Sequence, residues 1–248
     1  MLTGWSSQTP AAITLEELAK HCVLAGADTL EINTQQHYDI PQAMEFAVKV
    51  VQQATDHQLC LSTNNPQTLK AGLEVCQVPP IVNYISFDEM KLKEMLPLIA
   101  KHKAELVLLV SEPTSPTGAR DMLHKAAILI GAANEAGIPN DRIFVDPGII
   151  HVTRDEGQSH LVEVMEFLRL LPEATEPPVK STCWLSNSSV GAPRRLRPVI
   201  DSTLLAMLAG VGLSSVFLDV LRPTNRQTLN LLRVFNNETV YAQSEVEF

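Results

Sequence analysis

Aromatic residues are scarce: two Trp, three Tyr and seven Phe make up 5% of the 248 residues. Ala, Leu and Val must carry the core instead, which suits helices packed around a small-residue sheet better than an all-β sandwich. Cysteine is also sparse. Cys22, Cys60, Cys76 and Cys183 show no CxxC spacing, so neither a zinc site nor a disulfide framework is signalled. Positive charge is short, with 19 Lys and Arg against 28 Asp and Glu and a net charge of −9. Nucleic acid is therefore not an expected partner, because its backbone is held by clustered Lys and Arg. The only dense basic cluster is Arg194, Arg195 and Arg197. No apolar run reaches about 18 residues, so no transmembrane helix is expected. The first residues, MLTGWSSQTP, lack the basic and apolar regions of a signal peptide. A soluble cytoplasmic protein is the expectation.

What is present is alternation. Hydrophobic residues make up 45% and charged residues 19%, the balance of an ordered globular chain. Short apolar runs predict strands at Thr29–Thr34, Gln58–Ser62, Ile81–Ser86, Glu105–Val110, Arg142–Asp146, Val179–Leu185 and Ser215–Val220. Met1–Ser6 is a candidate for an eighth. Between them lie helical faces, such as Leu15, Leu18 and Ala19, or Leu161, Val164, Met165 and Leu168. Thr14 followed by Glu17 reads as a capping box, and Asn65-Pro66 as a helix start. Gly26, Gly137 and Gly212 each read as the end of a helix just before a strand. Repeated βα units imply a parallel sheet. Eight units of about 31 residues match the ~250 residues of a (β/α)8 barrel. A doubly wound sheet competes, but its phosphate turn is missing: neither GxGxxG nor GxxxxGK[ST] occurs. The expected fold is thus α/β, a parallel eight-stranded (β/α)8 barrel with a short first strand, forming one domain over residues 1–248. The Pro-containing segments 111–118 and 172–178 read as loops.

In such a barrel the C-terminal strand ends carry the chemistry. They present Asn33 and Thr34; Ser62, Thr63, Asn64 and Asn65; Asn83 and Ser86; Ser111 and Glu112; Asp146; Ser186, Asn187, Ser188 and Ser189; and Asp219. No Lys lies there, which counts against a Schiff-base aldolase, and no His, which counts against a His-based metal cluster. His151, five residues beyond Asp146, reads as a surface residue of its loop. Asn offers both donor and acceptor, and a carboxylate takes two N–H bonds side by side. A ring of Asn with one Asp suits a neutral heterocycle bearing lactam and amino groups, such as a pterin. The competing reading is local: Asn caps helices and Asp146-Pro147-Gly148 is good turn chemistry.

These residues carry a resemblance. LEINT (30–34), CLSTNNPQTLKAGLEV (60–75), VNYIS (82–86), IFVDPGI (143–149), LSNSSVGAP (185–193) and RPVIDSTLLAMLAGVGLSSVFLD (197–219) resemble the pterin-binding barrel family. Within it, the chain is similar to the methyltetrahydrofolate–corrinoid protein methyltransferases. The resemblance spans about residues 15–242. It implies transfer of the N5 methyl group of methyltetrahydrofolate to, or from, the cobalt of a corrinoid protein. By that resemblance Asn187 hydrogen-bonds N5, Asp146 and Asn83 hold the pterin, and Asn33 sits at a matching strand end. The cobalamin or other corrinoid lies on a partner protein, because this chain has no DxHxxG-type signature. A homodimer is implied, and no metal is bound directly. Arg197, within the basic cluster, is a candidate for the folate's glutamate tail or for an acidic partner, and a solvated loop is the competing reading.

The chain departs from the family at three places. The strand-three Asp that helps hold the pterin aligns with Ser62; the first-strand sequence with its terminal Asn is missing; and Glu31 replaces an Asp. Losing a charge-assisted bond at Ser62 would cost ~1.5–3 kcal/mol, with Asn64 a candidate to make up part of it. A non-catalytic or altered-substrate pterin-binding subunit is the reading that follows from that loss. Dihydropteroate synthase is a third reading. The DPGI of residues 146–149 fits it, but Ser186-Asn187-Ser188 replaces its Ser-Arg-Lys motif and Leu218-Asp219-Val220 its Arg-x-His-Asp motif.

Overall fold

A computed structural model describes residues 9–35, 39–111 and 117–242. The chain divides into two compact units, one of residues 1–108 and 131–143, the other of 109–130 and 144–248. Strand and helix alternate through both. In the first unit α1 (Pro10–Leu24), β1 (Thr29–Asn33), α2 (Pro41–Ala54), β2 (Gln58–Ser62), α3 (Pro66–Val75), β3 (Ile81–Ile85), α4 (Glu89–Lys101) and all but the last residue of β4 (Glu105–Leu109) follow one another. Neighbouring strands pair parallel in chain order. Every residue of β2 after Gln58 is buried, as a strand covered on both faces requires. Gly72 lets α3 lie close to its neighbours: a Cβ there would come within 2.8 Å of Met44 Cγ and 2.9 Å of Leu61 Cδ1.

Register sets the chemistry of this unit. Asn33 pairs with Ser62, and Ser62 with Asn83, so three adjacent strands present one polar row. Glu31 lies two residues before Asn33 and shares its face of β1, while Leu30 and Ile32 are buried on the other.

The second unit takes most of α5 (Ala119–Glu135), then β5 (Ile143–Asp146), α6 (Gly157–Leu170), β6 (Lys180–Ser181), α7 (Arg197–Ala209) and α8 (Pro223–Phe235). The β5 and β6 strands pair parallel. On α6, His160, Val164, Phe167 and Leu168 are buried at helical spacing.

Three expectations need correction. The seventh strand shrinks to Lys180–Ser181, and the eighth to a single bridge between Trp184 and Phe217. Serine side chains enter the pairing here. Ser181 N–H donates to Ser214 Oγ, Ser214 N–H donates to Ser181 Oγ, and Ser215 Oγ donates to Ser181 O. Side-chain hydroxyls bond the backbone here beside the main-chain bonds from Ser215 N–H to Ser181 O and from Phe217 N–H to Cys183 O. A 3-10 turn over Leu185–Ser189 then ends the extended run. The Trp184 and Phe217 rings stack at the bridge with centroids 5.2 Å apart. Third, α1 starts at Pro10 with Thr9 as its cap; Thr14 lies inside the helix and its hydroxyl donates to Pro10 O. Leu18, expected on the buried face, is exposed. The cap at Asn65 is as read, its side chain accepting from Gln67 N and Thr68 N. Gly26, Gly137 and Gly212 all take positive φ. The candidate strand Met1–Ser6 and Glu112 lie outside the described residues. Among those residues no helix is long and apolar enough to cross a membrane.

Candidate pterin site

The polar row of the first unit is a connected hydrogen-bond network. Asn83 Nδ2 donates to Ser62 Oγ at 3.0 Å, and Ser62 Oγ donates in turn to Glu31 Oε1. Asn33 Nδ2 donates to the same oxygen at 3.3 Å, while its own Oδ1 accepts from Gln35 N. Burial raises the Glu31 carboxyl above the ordinary 4.5, and the bonds from Ser62, Asn33 and Asn83 hold it partly down. Ser62 and Asn83 are each 1% exposed, and Asn83 Oδ1 is buried with no partner among the described residues. Asn64 does not join the row. Its Oδ1 accepts from Lys91 Nζ at 3.0 Å, which ties it to α4. Thr63 and Thr34 both donate to Asp39.

In the second unit Asp146 ends β5 and is buried. Both readings of its DPG motif hold locally, because Gly148 N–H donates to Asp146 Oδ1 at 2.7 Å and closes an Asx turn. One carboxylate oxygen is committed to the loop; the other is not part of that bond. Burial pushes the carboxyl from 3.8 up to about 7, against the opposing pull of the Gly148 N–H. The loop is clamped from outside. His160 Nε2 lies 2.7 Å from Gly148 O, and since a carbonyl only accepts, the ring carries its hydrogen there. His160 is 2% exposed.

Asn187 lies within the 3-10 turn Leu185–Ser189 rather than on a strand. Its main chain joins the turn through Asn187 N to Trp184 O and Val190 N to Asn187 O. Its side chain caps nothing and has no hydrogen-bond partner among the described residues, so the amide is free for a ligand. The next residue anchors the turn: Ser188 Oγ donates to Asp201 Oδ1, and Arg222 donates to Asp201 Oδ2 at 2.6 Å. Asp201 is 1% exposed, so this is a buried, paired charge. The loops that carry Asp146 and Asn187 are bonded to each other. Val152 N–H donates to Ser188 O, and Thr153 Oγ1 to Val190 O. Arg197 opens α7, and its Nε donates to Ala192 O at 3.0 Å; Arg194 and Arg195 are exposed. His151 is half-buried and its Nδ1 has no partner among the described residues, while Asp219 is exposed and closes a turn onto Leu221 N.

Sequence reasoning missed three groups. Glu31 was legible as a departure but not as the carboxylate that meets Ser62; the two-residue spacing to Asn33 was its only signal. His160 shares the buried face of α6 with Val164, a spacing that marks an interior residue. The Asp201–Arg222 pair joins residues 21 apart and leaves no local trace.

Among the described residues no group of three or more His, Cys, Asp or Glu is placed to hold a metal ion. What the side chains offer is amides and carboxylates, the acceptors and donors that a lactam and amino-bearing ring requires.

Known proteins share this fold. A solved structure of a dihydropteroate synthase from Coxiella burnetii, in complex with pteroic acid, superposes with a TM-score of 0.67 at 17% identity, covering 92% of this chain and 87% of that one. That likeness shows the fold, and the α/β barrel class read from the sequence stands. A methylcorrinoid:tetrahydrofolate methyltransferase from Eubacterium limosum is 24% identical over 197 residues, 77% of this chain and 69% of that protein. The family model described as pterin binding enzyme matches residues 8–218. The chain therefore belongs to the pterin binding enzyme family.

Proposed function

We propose that this chain is a methyltransferase that moves a methyl group between N5 of tetrahydrofolate and the cobalt of a corrinoid carried by a partner protein. The observation that carries this reading is Asn187, whose amide has no hydrogen-bond partner among the described residues and whose turn is anchored through Ser188 and the buried Asp201–Arg222 pair. The name of the Eubacterium limosum relative supports it.

In the folate-to-cobalt direction Co(I) supplies the electron pair that forms the Co–CH3 bond, and N5 keeps the pair of the broken N–C bond. N5 is a poor leaving group until a hydrogen bond or proton gives it positive character. Asn187 is assigned that task. Asn83 and Asp146 are assigned to the pterin ring and Arg197 to the glutamate tail, while Ser62 and Asn33 support the row from neighbouring strand ends and Asn64 is held by Lys91. A homodimer and a cytoplasmic setting belong to the same reading.

Titration calorimetry with methyltetrahydrofolate tests it at the binding step. One saturable site per chain is the expected result. Absence of binding at neutral pH would overturn the proposal before catalysis is considered.

A further inference from the structure

We infer that Glu31 is the carboxylate that grips an N–H edge of the pterin, and that Ser62 is a positioning residue which holds Glu31 in place. This rests on the pterin-binding reading above and deepens it.

The network's hydrogen-bond directions carry the argument. The Ser62 hydroxyl has one hydrogen, and it goes to Glu31 Oε1. Its oxygen already accepts from Asn83 Nδ2. Ser62 therefore has no hydrogen left for a ligand, and a ligand N–H meets an oxygen that is already engaged. The position where the family has an Asp has become a bridge between β3 and β1.

Two acceptors remain in the row. Ser62 and Asn33 both donate to Glu31 Oε1, so Oε2 takes neither of these two bonds. Asn83 Oδ1 is buried and has no partner among the described residues. A buried acceptor of this kind costs free energy until a donor meets it. A carboxylate oxygen and an amide oxygen on one row fit a ligand edge that presents N–H groups. A lactam carbonyl or an anion would be rejected there. Asn33 adds a third contact, fixing the Glu31 carboxylate from its own strand.

The two departures thus form one change. Glu is one methylene longer than Asp, and from β1 it reaches the β2 position where the carboxylate is lost. The register Asn33–Ser62 makes that reach short.

The test is methyltetrahydrofolate affinity in the full-length chain for wild type, Glu31→Gln, Glu31→Asp, Ser62→Ala and the double variant Glu31→Gln/Ser62→Asp. Gln is isosteric and still accepts from Ser62, but it presents N–H groups where the ligand needs an acceptor. Glu31→Gln is expected to weaken binding about ten- to a hundredfold. Ser62→Ala, which leaves the carboxylate present, is expected to lose less. Returning the carboxylate to residue 62 in the double variant is expected to recover most of the loss, which a merely structural role for Glu31 does not produce. Glu31→Asp, which keeps the charge but not the reach, is expected to lose about tenfold and serves where the Gln variant does not fold. Wild type that fails to bind would sink the pterin reading and this inference together. Wild type that binds, with Glu31→Gln or Glu31→Asp within about threefold of it, would overturn this inference alone.

Discussion

Replacing Asp146 with Asn stabilises the protein at pH 8, leaves its stability at pH 4 unchanged, and weakens methyltetrahydrofolate binding. The reason is the buried carboxyl, whose pKa stands at about 7 in the fold against an ordinary 3.8. Below about pH 4 the group is protonated in both folded and unfolded chains, and burial adds no ionisation cost. As pH rises from there towards 7 the unfolded chain gives up its proton first, so stability falls. Above 7 both states are ionised and the full cost remains. Asn cannot ionise, and its carbonyl still accepts from Gly148 N–H. The gain at pH 8 is on the order of 2–4 kcal/mol, or about 5–10 °C in melting temperature. Binding moves the other way, because an amide in place of the carboxylate loses a charge-assisted bond to the ring, about tenfold or more in affinity. In the wild type, affinity rises with pH up to about 7, since the ionised carboxylate is the form that accepts two N–H bonds. Melting curves at the two pH values decide the matter. Equal destabilisation at both would show that the buried charge is not what the fold bears.

Gly148→Ala is expected to be among the most damaging single substitutions in the second unit. Gly148 has a φ of +74°, which L side chains adopt at a cost. A Cβ there would also lie 2.2 Å from Ser111 O and 3.0 Å from Ser111 C. These are backbone atoms, and they cannot swing aside as a side chain does. Ser111 follows Val110, whose N–H donates to Asp146 O. The clash therefore bears on the main chain that holds the Asp146 carboxylate as well as on the loop itself. The expected loss is about 3 kcal/mol or more, roughly 6–12 °C in melting temperature. A melting temperature within about 2 °C of wild type would contradict this packing.

Much of this was readable in the sequence, and the limits have physical causes. The strands from β1 to β5 were legible to within a residue or so at each end, because apolar runs such as TLEIN and ELVLL are bounded by Gly, Pro and polar residues. The later pair was not. Ser181, Ser214 and Ser215 bond their neighbours' backbone through hydroxyls, a competition that composition does not reveal. Asp146 was legible as both turn and site because DPG encodes both roles locally. Asn83 was legible as a polar residue within an apolar strand. The partnership of Glu31 with Ser62 was not, since it depends on the register between two strands 29 residues apart in chain order, Asn33 to Ser62. Thr14 misled because its capping box is locally well formed, yet Thr9 followed by Pro10 starts the helix a turn earlier.

Methyl transfer itself is the most direct test of the account. In a single-turnover mixture, the full-length chain and methyltetrahydrofolate are combined with cob(I)alamin, and formation of the cobalt–methyl species is followed by its absorbance. Wild type is expected to accelerate transfer, and Asn187→Ala to slow it by about a hundredfold or more while calorimetry shows methyltetrahydrofolate still bound. Wild type that binds the folate without transferring the methyl group, or an Asn187→Ala variant with an unchanged rate, would contradict it.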